Sequence, residues 1–320
     1  MSAALSVAVV GAGAMGANHA RTLAGMEGVE LGYIVDADLT RAKTLAETYG
    51  AQALGSIGEL PSGVDGAVIA TTSVTHAVLG QALLSRGIPC LIEKPLAVTR
   101  EECVLLIEAA DKAGVPVAVG HVERFNPAIR KAAELLKDQT ILMMEARRLN
   151  PGSARILDTD VIIDLMVHDL DVIQFLAVAD PTALSAHGIA RNKPGVADHA
   201  SALLDFDGKV MATVTASRMT QTRIRELLIQ TASGLLAVNY LTQEVRASRA
   251  LIDGSDANGS DLALEPVMVV QGQSLATELA VFCAAIRKGR AEAAGVTPRE
   301  ALRSLRSVWE IQRQLAETWA

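Results

Sequence analysis

Aromatic side chains are scarce in this chain, with Phe, Tyr and Trp together at 3% of its residues. That argues against the aromatic platforms on which single-stranded nucleic acids stack. Cysteine is also sparse. Cys90, Cys103 and Cys283 lie in apolar surroundings without Cys-x-x-Cys spacing, which reads as buried thiols in a reducing compartment. Positive charge is not in surplus. A net charge of −7 speaks against a polyanionic partner, since phosphate backbones call for clustered Lys and Arg. Every apolar run is broken by Gly or charge short of the ~20 residues a membrane helix requires. The opening residues, Met1-Ser2-Ala3-Ala4, carry no basic stretch or cleavage signal, so a cytoplasmic location is expected. No internal repeat is present.

What the chain does have is a half-hydrophobic composition and 320 residues, long for one core and suited to two domains. The boundary is expected at 120/121. Residues 1–120 read as a dinucleotide-binding Rossmann domain, and residues 121–320 as an α/β domain for substrate binding and oligomerisation.

Leu5 to Val10 is a short apolar run that leads into Gly11-Ala12-Gly13-Ala14-Met15-Gly16, followed by a helical pattern through Leu23. Strand, glycines and helix in that order are the context of a dinucleotide fingerprint. Gly11 would permit the turn, Gly13 the approach of a pyrophosphate, and Gly16 close helix–strand packing. Ala14 and Met15 would open the helix, whose N–H groups face the phosphates. A purely structural glycine turn is the plainer alternative. The second strand, Glu30 to Val35, ends on Asp36, about twenty residues beyond the last glycine, the spacing of a ribose contact. Its charge would repel a 2′-phosphate and so favours NAD over NADP. Arg41 close by pulls the other way. Alternatively, Asp36 or Asp38 caps the helix that begins near Leu39.

Two further apolar runs, Gly66 to Ala70 and Ile88 to Ile92, read as buried strands. The first is followed by Thr71-Thr72-Ser73-Val74-Thr75-His76, whose hydroxyls and N–H groups would face a cofactor crevice. Thr71, Thr72 and His76 are candidate contacts, although His76 could equally be a surface residue. The second strand is followed by Glu93-Lys94-Pro95. A lysine at a strand's carboxyl end stands where open α/β sheets bind ligands. A solvated strand-end lysine is the bland reading, and whether the Lys94–Pro95 bond is cis is left open. The alternation of strands and helices to Val119 is a doubly wound pattern.

The glycine fingerprint, the acidic end of the second strand, the Ala70-Thr71 … His76 loop and above all Glu93-Lys94-Pro95 resemble the Gfo/Idh/MocA oxidoreductase family. Many members carry Pro and Asn where this chain has Thr72 and Ser73. The resemblance implies that Lys94 contacts a substrate hydroxyl beside the nicotinamide and that Glu93 supports the nicotinamide side.

In the second half, Gly120-His121-Val122-Glu123-Arg124-Phe125-Asn126-Pro127 ends a strand and opens a helix, with Asn126 as N-cap and Pro127 at the first helical position. A functional reading places His121, Arg124 and Asn126 at the mouth of the crevice. The octapeptide resembles UDP-N-acetylglucosamine 3-dehydrogenase-like members of the family. Ile141 to Arg148 reads as a strand. The segment Asp160 to Asp171, taken as a helix, puts Asp164 and His168 one turn apart on one face, with Asp171 three residues further along. An acid beside a histidine suits a base that must take a proton from a hydroxyl. An ordinary i,i+4 pair and a metal site are the alternatives, and no third or fourth ligand is evident. Family members carry Asp-x-x-x-His here, which implies His168 as the base and Asp164 as its neighbour near the substrate. Lys94 could itself be the base if burial lowers its pKa.

From residue 182 the pattern turns to strands, with Asp207-Gly208 and Ser233-Gly234 as turn signals, so a mostly antiparallel open sheet is expected. Its uncovered face needs a partner, and the resemblance likewise implies a homodimer or homotetramer through this sheet. Residues 253–261 read as a polar loop. Helices are expected over Ser274–Lys288 and Pro298–Trp319. The function expected is NAD-dependent oxidation of a secondary sugar hydroxyl, on the 3-position of a UDP-N-acetylamino sugar. Substrate contacts would come from Lys94, Arg124, Asn126, Arg148, Asp164 and His168, with Arg155 a further candidate for the diphosphate. No metal is expected. An inositol or other free sugar is the alternative substrate, and a non-catalytic NAD(H) sensor the alternative class.

Overall fold

The computed structural model describes residues 3–152, 159–253 and 263–319. The chain divides into two units, one of Met1–Val122 with Gln273–Leu302 and one of Glu123–Gly272 with Arg303–Ala320. A single boundary at 120/121 leaves out this return of residues 273–302 to the first unit.

The first unit is built on a six-stranded parallel sheet in the order β3-β2-β1-β4-β5-β6. Its strands are β1 (Leu5–Val10), β2 (Val29–Val35), β3 (Gln52–Leu54), β4 (Gly66–Ile69), β5 (Cys90–Glu93) and β6 (Val117–Gly120). Every residue of β4, β5 and β6 is buried, as a parallel sheet covered on both faces requires. The covering helices are α1 (Ala14–Ala24), α2 (Leu39–Tyr49), α3 (His76–Ser85) and α4 (Arg100–Ala113). Their ends follow local chemistry. Asp38 caps α2 by accepting from the N–H groups of Thr40 and Arg41, and Thr99 with Glu102 forms a capping box on α4. A later helix, α8 (Ser274–Lys288), completes the core. Its Leu279, Phe282 and Cys283 pack with Leu5, Val7, Leu23 and Ile34, and burying a side chain the size of Phe contributes up to ~3 kcal/mol.

The strand order reverses between β1 and β4, because after β3, at one edge, the chain returns to the middle of the sheet to lay β4 beside β1 and then builds outward in the other direction. The carboxyl ends of β1 and β4 therefore bound the switch-point crevice in which such sheets bind ligands.

The second unit carries α5 (Pro127–Leu135), β7 (Ile141–Pro151), α6 (Val167–Ala177), β8 (Ala183–Ile189), β9 (His199–Phe206), β10 (Val210–Thr220), β11 (Ile224–Thr231), β12 (Leu235–Asn239), β13 (Glu244–Ser248), α7 (Arg249–Asp253) and β14 (Leu264–Val267). Its eight-stranded sheet runs β14-β13-β12-β11-β7-β10-β9-β8. All pairs are antiparallel except β7 with β10. The expectation of a mostly antiparallel sheet holds, with one long-range difference. The strands that follow one another as β10 and β11 are not neighbours, because β7 lies between them. Strand β14 is additional to those read from the sequence.

Buried and open residues alternate along β9 and β7, so one face is packed and the other faces solvent. Helix α9 (Pro298–Trp319) closes the chain, and the division between the units falls within it. The loop expected over residues 253–261 and the candidate Arg155 lie outside the described residues, apart from the end of α7. Among the described residues no helix is long and apolar enough to cross a membrane.

Candidate active site

The glycine loop of the first unit is held against the end of β4. Gly11 has a φ of 104°, open to glycine and strained for other residues. A Cβ there would stand 2.5 Å from the carbonyl oxygen of Ala70, and one on Gly16 would stand 1.7 Å from that of Gly11. Both glycines are thus required by protein packing. Gly13 differs. A Cβ on it would meet only the guanidinium of Arg41, at 3.5 Å, so the space above it is open to a ligand. It is also the N-cap of α1 and supplies no side-chain cap, which leaves the N–H groups of that helix, beginning at Ala14 and Met15, turned to the same space.

That space is a cavity of about 630 Å³ lined by Gly11, Gly13, Asp36, Arg41, Thr71 and Thr72 among others. Asp36 is fixed at its rim, where its carboxylate accepts from the N–H of Ala12 at 2.7 Å and of Asp38 at 2.9 Å. Since Asp38 caps α2, Asp36 is not needed there, and it lines the cavity. An uncapped helix N-terminus, an open glycine and an anchored carboxylate fit the pyrophosphate and ribose of a dinucleotide. Arg41, on the same wall, is the one cation that could meet a 2′-phosphate among the lining residues described.

Thr71 and Thr72 precede a tight turn over Ser73–Thr75, and the hydroxyl of Thr75 donates to that of Thr71 at 2.7 Å. His76, a candidate cofactor contact, is 1% exposed. Its Nδ1 stands 2.8 Å from the carbonyl oxygen of Pro95 and its Nε2 3.2 Å from that of Thr71. A neutral ring donates only one N–H, and the shorter contact is to Pro95. Donation to Pro95 ties the start of α3 to the Lys94-Pro95 turn from within the unit.

Lys94 follows β5, half-buried, and the peptide bond to Pro95 is cis. Glu93, at the end of the strand, is buried. Its Oε2 accepts from the N–H of Lys94 at 3.1 Å, and its Oε1 accepts from Nε2 of His19 at 2.7 Å. His19 did not figure among the sequence candidates. A signal for it exists: it falls on the stripe of α1 formed by Gly16, Ala20 and Leu23, where a polar ring inside a core must find a partner.

In the second unit the segment that carries Asp164 and His168 is not a uniform helix. Residues Ile162–Met166 form a π turn before α6, a feature that recurs at functional sites. Asp160 starts it by accepting from the N–H groups of Ile162 and Ile163, both at 2.9 Å. From residue 161 to 174, Ile163, Asp164 and His168 are the positions not fully buried. The two candidate groups therefore share the accessible stripe of an otherwise internal segment. Asp171, expected further along it, is 1% exposed and turned inward.

The candidate arginines stand in internal ion pairs. Arg124 grips Asp171 through Nε and Nη2, both at 2.8 Å, and lies over the ring of Phe175. Arg148, 1% exposed, grips Asp169 at 2.7 and 3.0 Å and reaches Glu123 at 2.9 Å. Burial alone would lower the Arg148 pKa, but those two carboxylates outweigh it and hold the guanidinium charged. Asn126 is also committed. Its Oδ1 caps α5 by accepting from the N–H of Ala128, while its Nδ2 donates to Glu123 and to the Tyr240 carbonyl, each at 3.1 Å. Arg124, Asn126 and Arg148, expected at the substrate, are thus engaged by protein groups. No group of His, Cys, Asp and Glu among the described residues could hold a metal ion.

The family described as "Oxidoreductase family, NAD-binding Rossmann fold" matches residues 5–121, and the Gfo/Idh/MocA C-terminal domain matches residues 137–251. The UDP-N-acetylglucosamine 3-dehydrogenase of Acidithiobacillus ferrooxidans is 30% identical over 304 residues, 92% of this chain and 96% of that protein. The chain belongs to the Gfo/Idh/MocA oxidoreductase family. A solved structure of that A. ferrooxidans dehydrogenase superposes on this fold with a TM-score of 0.90 at 27% identity, each chain being covered to 100%. The myo-inositol dehydrogenase of Streptomyces leeuwenhoekii is 34% identical over 221 residues, 66% of this chain and 65% of that protein. As a Gfo/Idh/MocA member the protein is an NAD(P)-dependent dehydrogenase with an NAD-binding Rossmann fold. Its named relatives act on a nucleotide sugar or on inositols.

Proposed function

We propose that this dehydrogenase oxidises a secondary hydroxyl of a UDP-N-acetylamino sugar, at the 3-position, to a ketone. The observation that carries the reading is the 30% identity with a UDP-N-acetylglucosamine 3-dehydrogenase across 96% of that protein. The inositol dehydrogenases match about two thirds of their length or less. NAD, when bound, supplies the hydride acceptor. Gly11, Gly13, Ala14, Met15 and Gly16 would hold its pyrophosphate, Asp36 its ribose, and Thr71, Thr72 and Glu93 the nicotinamide side.

The remaining chemistry belongs to side chains of this chain. Loss of hydride from the alcohol carbon leaves an oxygen that must also shed a proton. His168 accepts that proton, with Asp164 beside it to orient the imidazole and stabilise its protonated form. Lys94 donates a hydrogen bond to the same oxygen and stabilises the negative charge that develops on it. Lys94→Ala and His168→Ala, assayed with NAD and a panel of UDP-sugars by the absorbance of reduced nicotinamide, test this. Turnover is expected to vanish in Lys94→Ala with NAD affinity retained. Full turnover in that variant would refute the assignment.

A second reading, oxidation of a free cyclitol, has one observation in its favour. A diphosphate calls for cationic partners, and Arg124 and Arg148 are engaged by Asp171 and Asp169. Turnover of inositols but not of UDP-sugars in the same assay would select it. The uncovered face of the second unit's sheet exposes Met143, Leu203 and Met211, which supports a homodimer or homotetramer through that face. Light scattering after gel filtration would detect a monomer and so exclude it.

A further inference from the structure

We infer that His19 is a positioning residue for Lys94, acting through Glu93. The inference rests on the role proposed above for Lys94. His19 is 0% exposed on α1, the helix that begins at the glycine loop, and donates its Nε2–H to Oε1 of Glu93 at 2.7 Å. The other oxygen of the same carboxylate accepts from the backbone N–H of Lys94 at 3.1 Å. One buried carboxylate therefore spans a side chain on α1 and the main chain of residue 94.

Gly120 leaves the room that Glu93 occupies. A Cβ on Gly120, its register partner on β6, would come within 3.0 Å of Oε2 and 3.2 Å of the Glu93 Cα. The next residue is restrained separately, by the contact of the Pro95 carbonyl with His76 at 2.8 Å. Lys94 thus lies between two backbone anchors, each ending on a buried imidazole, and the anchor through His19 starts on the helix whose N-terminus faces the dinucleotide cavity. Loss of the His19 donor would leave a buried carboxylate oxygen without its partner, and such a group moves or draws in water rather than stay unpaired. The Cα–Cβ direction of Lys94 would follow, and with it the place of the ammonium.

The test compares His19→Leu, which keeps bulk and removes the donor, with His19→Gln, whose amide can donate to Glu93. Folding is first checked by circular dichroism. One readout needs neither cofactor nor turnover: the rate at which an amine-selective acylating reagent labels Lys94, mapped by peptide mass. The other is the separation of kcat from KM for NAD. In His19→Leu, Lys94 labelling is expected to change and kcat to fall about 100-fold, with KM for NAD within about 3-fold of wild type. His19→Gln is expected to recover kcat to within about 5-fold of wild type and to restore labelling, since its amide gives Glu93 a hydrogen-bond donor again. Wild-type labelling and kcat in His19→Leu would overturn the inference. If that variant does not fold, His19→Met repeats both readouts. Lys94→Ala separates the two layers: wild-type turnover there refutes the role of Lys94, while the labelling readout still decides whether His19 holds its side chain in place.

Discussion

Arg148 and Asp169 are 21 positions apart in the chain and joined by two hydrogen bonds, Nε to Oδ2 at 2.7 Å and Nη2 to Oδ1 at 3.0 Å. Both side chains are 1% exposed. Glu123 takes the remaining edge of the guanidinium at 2.9 Å, and the ring of Tyr240 lies against its face. Asp169 is the residue after His168, so this pair pins α6 to β7 beside the proposed base. Two residues on, Asp171 is pinned in the same way to Arg124.

Removal of one partner from a buried pair leaves an uncompensated charge and costs about 3–5 kcal/mol. Arg148→Ala is therefore expected to lower the midpoint of urea unfolding by that equivalent. Unfolding followed by far-UV circular dichroism measures it. A variant as stable as wild type but with weakened substrate binding would return Arg148 to a substrate role.

Asp36 holds the N–H of Ala12 in the glycine loop and is the proposed ribose acceptor. Hydrogen bonds to a charged group contribute about 1.5–3 kcal/mol. Asp36→Ala is expected to weaken NAD by about 10- to 100-fold, since each 1.4 kcal/mol is tenfold. NADP should lose less, because the variant removes a charge that repels the 2′-phosphate and leaves Arg41 in place. Titration calorimetry with both dinucleotides checks this, and an equal loss for the two would contradict it.

Burial alone would push the Asp198 carboxyl up, but hydrogen bonds from Asn192 and Arg191 and the nearby Arg218 outweigh it and hold it below the usual carboxylate range. A folded-state value below the unfolded one contributes stability that is present above the unfolded value and lost as pH falls through the folded one. Wild type should therefore lose this contribution below about pH 4. Asp198→Asn should be less stable at neutral pH by about 1–3 kcal/mol, with a shallower loss in acid. Thermal melts across that range would expose the difference, and parallel curves for the two proteins would rule it out.

The three cysteines are free and buried. Burial pushes Cys103 up to about 12 and Cys283 up to about 11, and raises Cys90 as well. Since the thiolate is the reactive form, the folded protein is expected to react negligibly with a thiol-specific disulfide reagent at neutral pH. The unfolded chain should titrate three thiols. Rapid reaction in the native state would place at least one of them at the surface.

Much of the first unit was legible because its signals are local. An apolar run, three glycines and a helical stripe lie within twenty residues of one another, and the acidic end of β2 follows at a set interval. Asp38 and Asn126 were legible as helix caps for the same reason, since a cap involves neighbours two or three positions away. Lys94, Asp164 and His168 could be singled out from spacing and resemblance, and the last two do fall on one accessible stripe. The π turn beneath them was not legible, because apolar periodicity does not distinguish a helix with one wider turn from a regular one. The arginines show the complementary limit. Arg124 and Arg148 offered cations at plausible places, but their carboxylates come from a distant helix that no local pattern pairs with them.

The amino-acid sequence by itself determined most of the elements and their order, the dinucleotide fingerprint and the family, since each depends on residues close together in the chain. Tertiary structure alone decided which strand lies beside β10, that residues 273–302 return to the first unit's core, which charges are consumed in buried pairs, and that His19 meets Glu93. Those outcomes follow from packing and from the need of every buried polar group for a partner, and both are settled between residues tens to hundreds of positions apart.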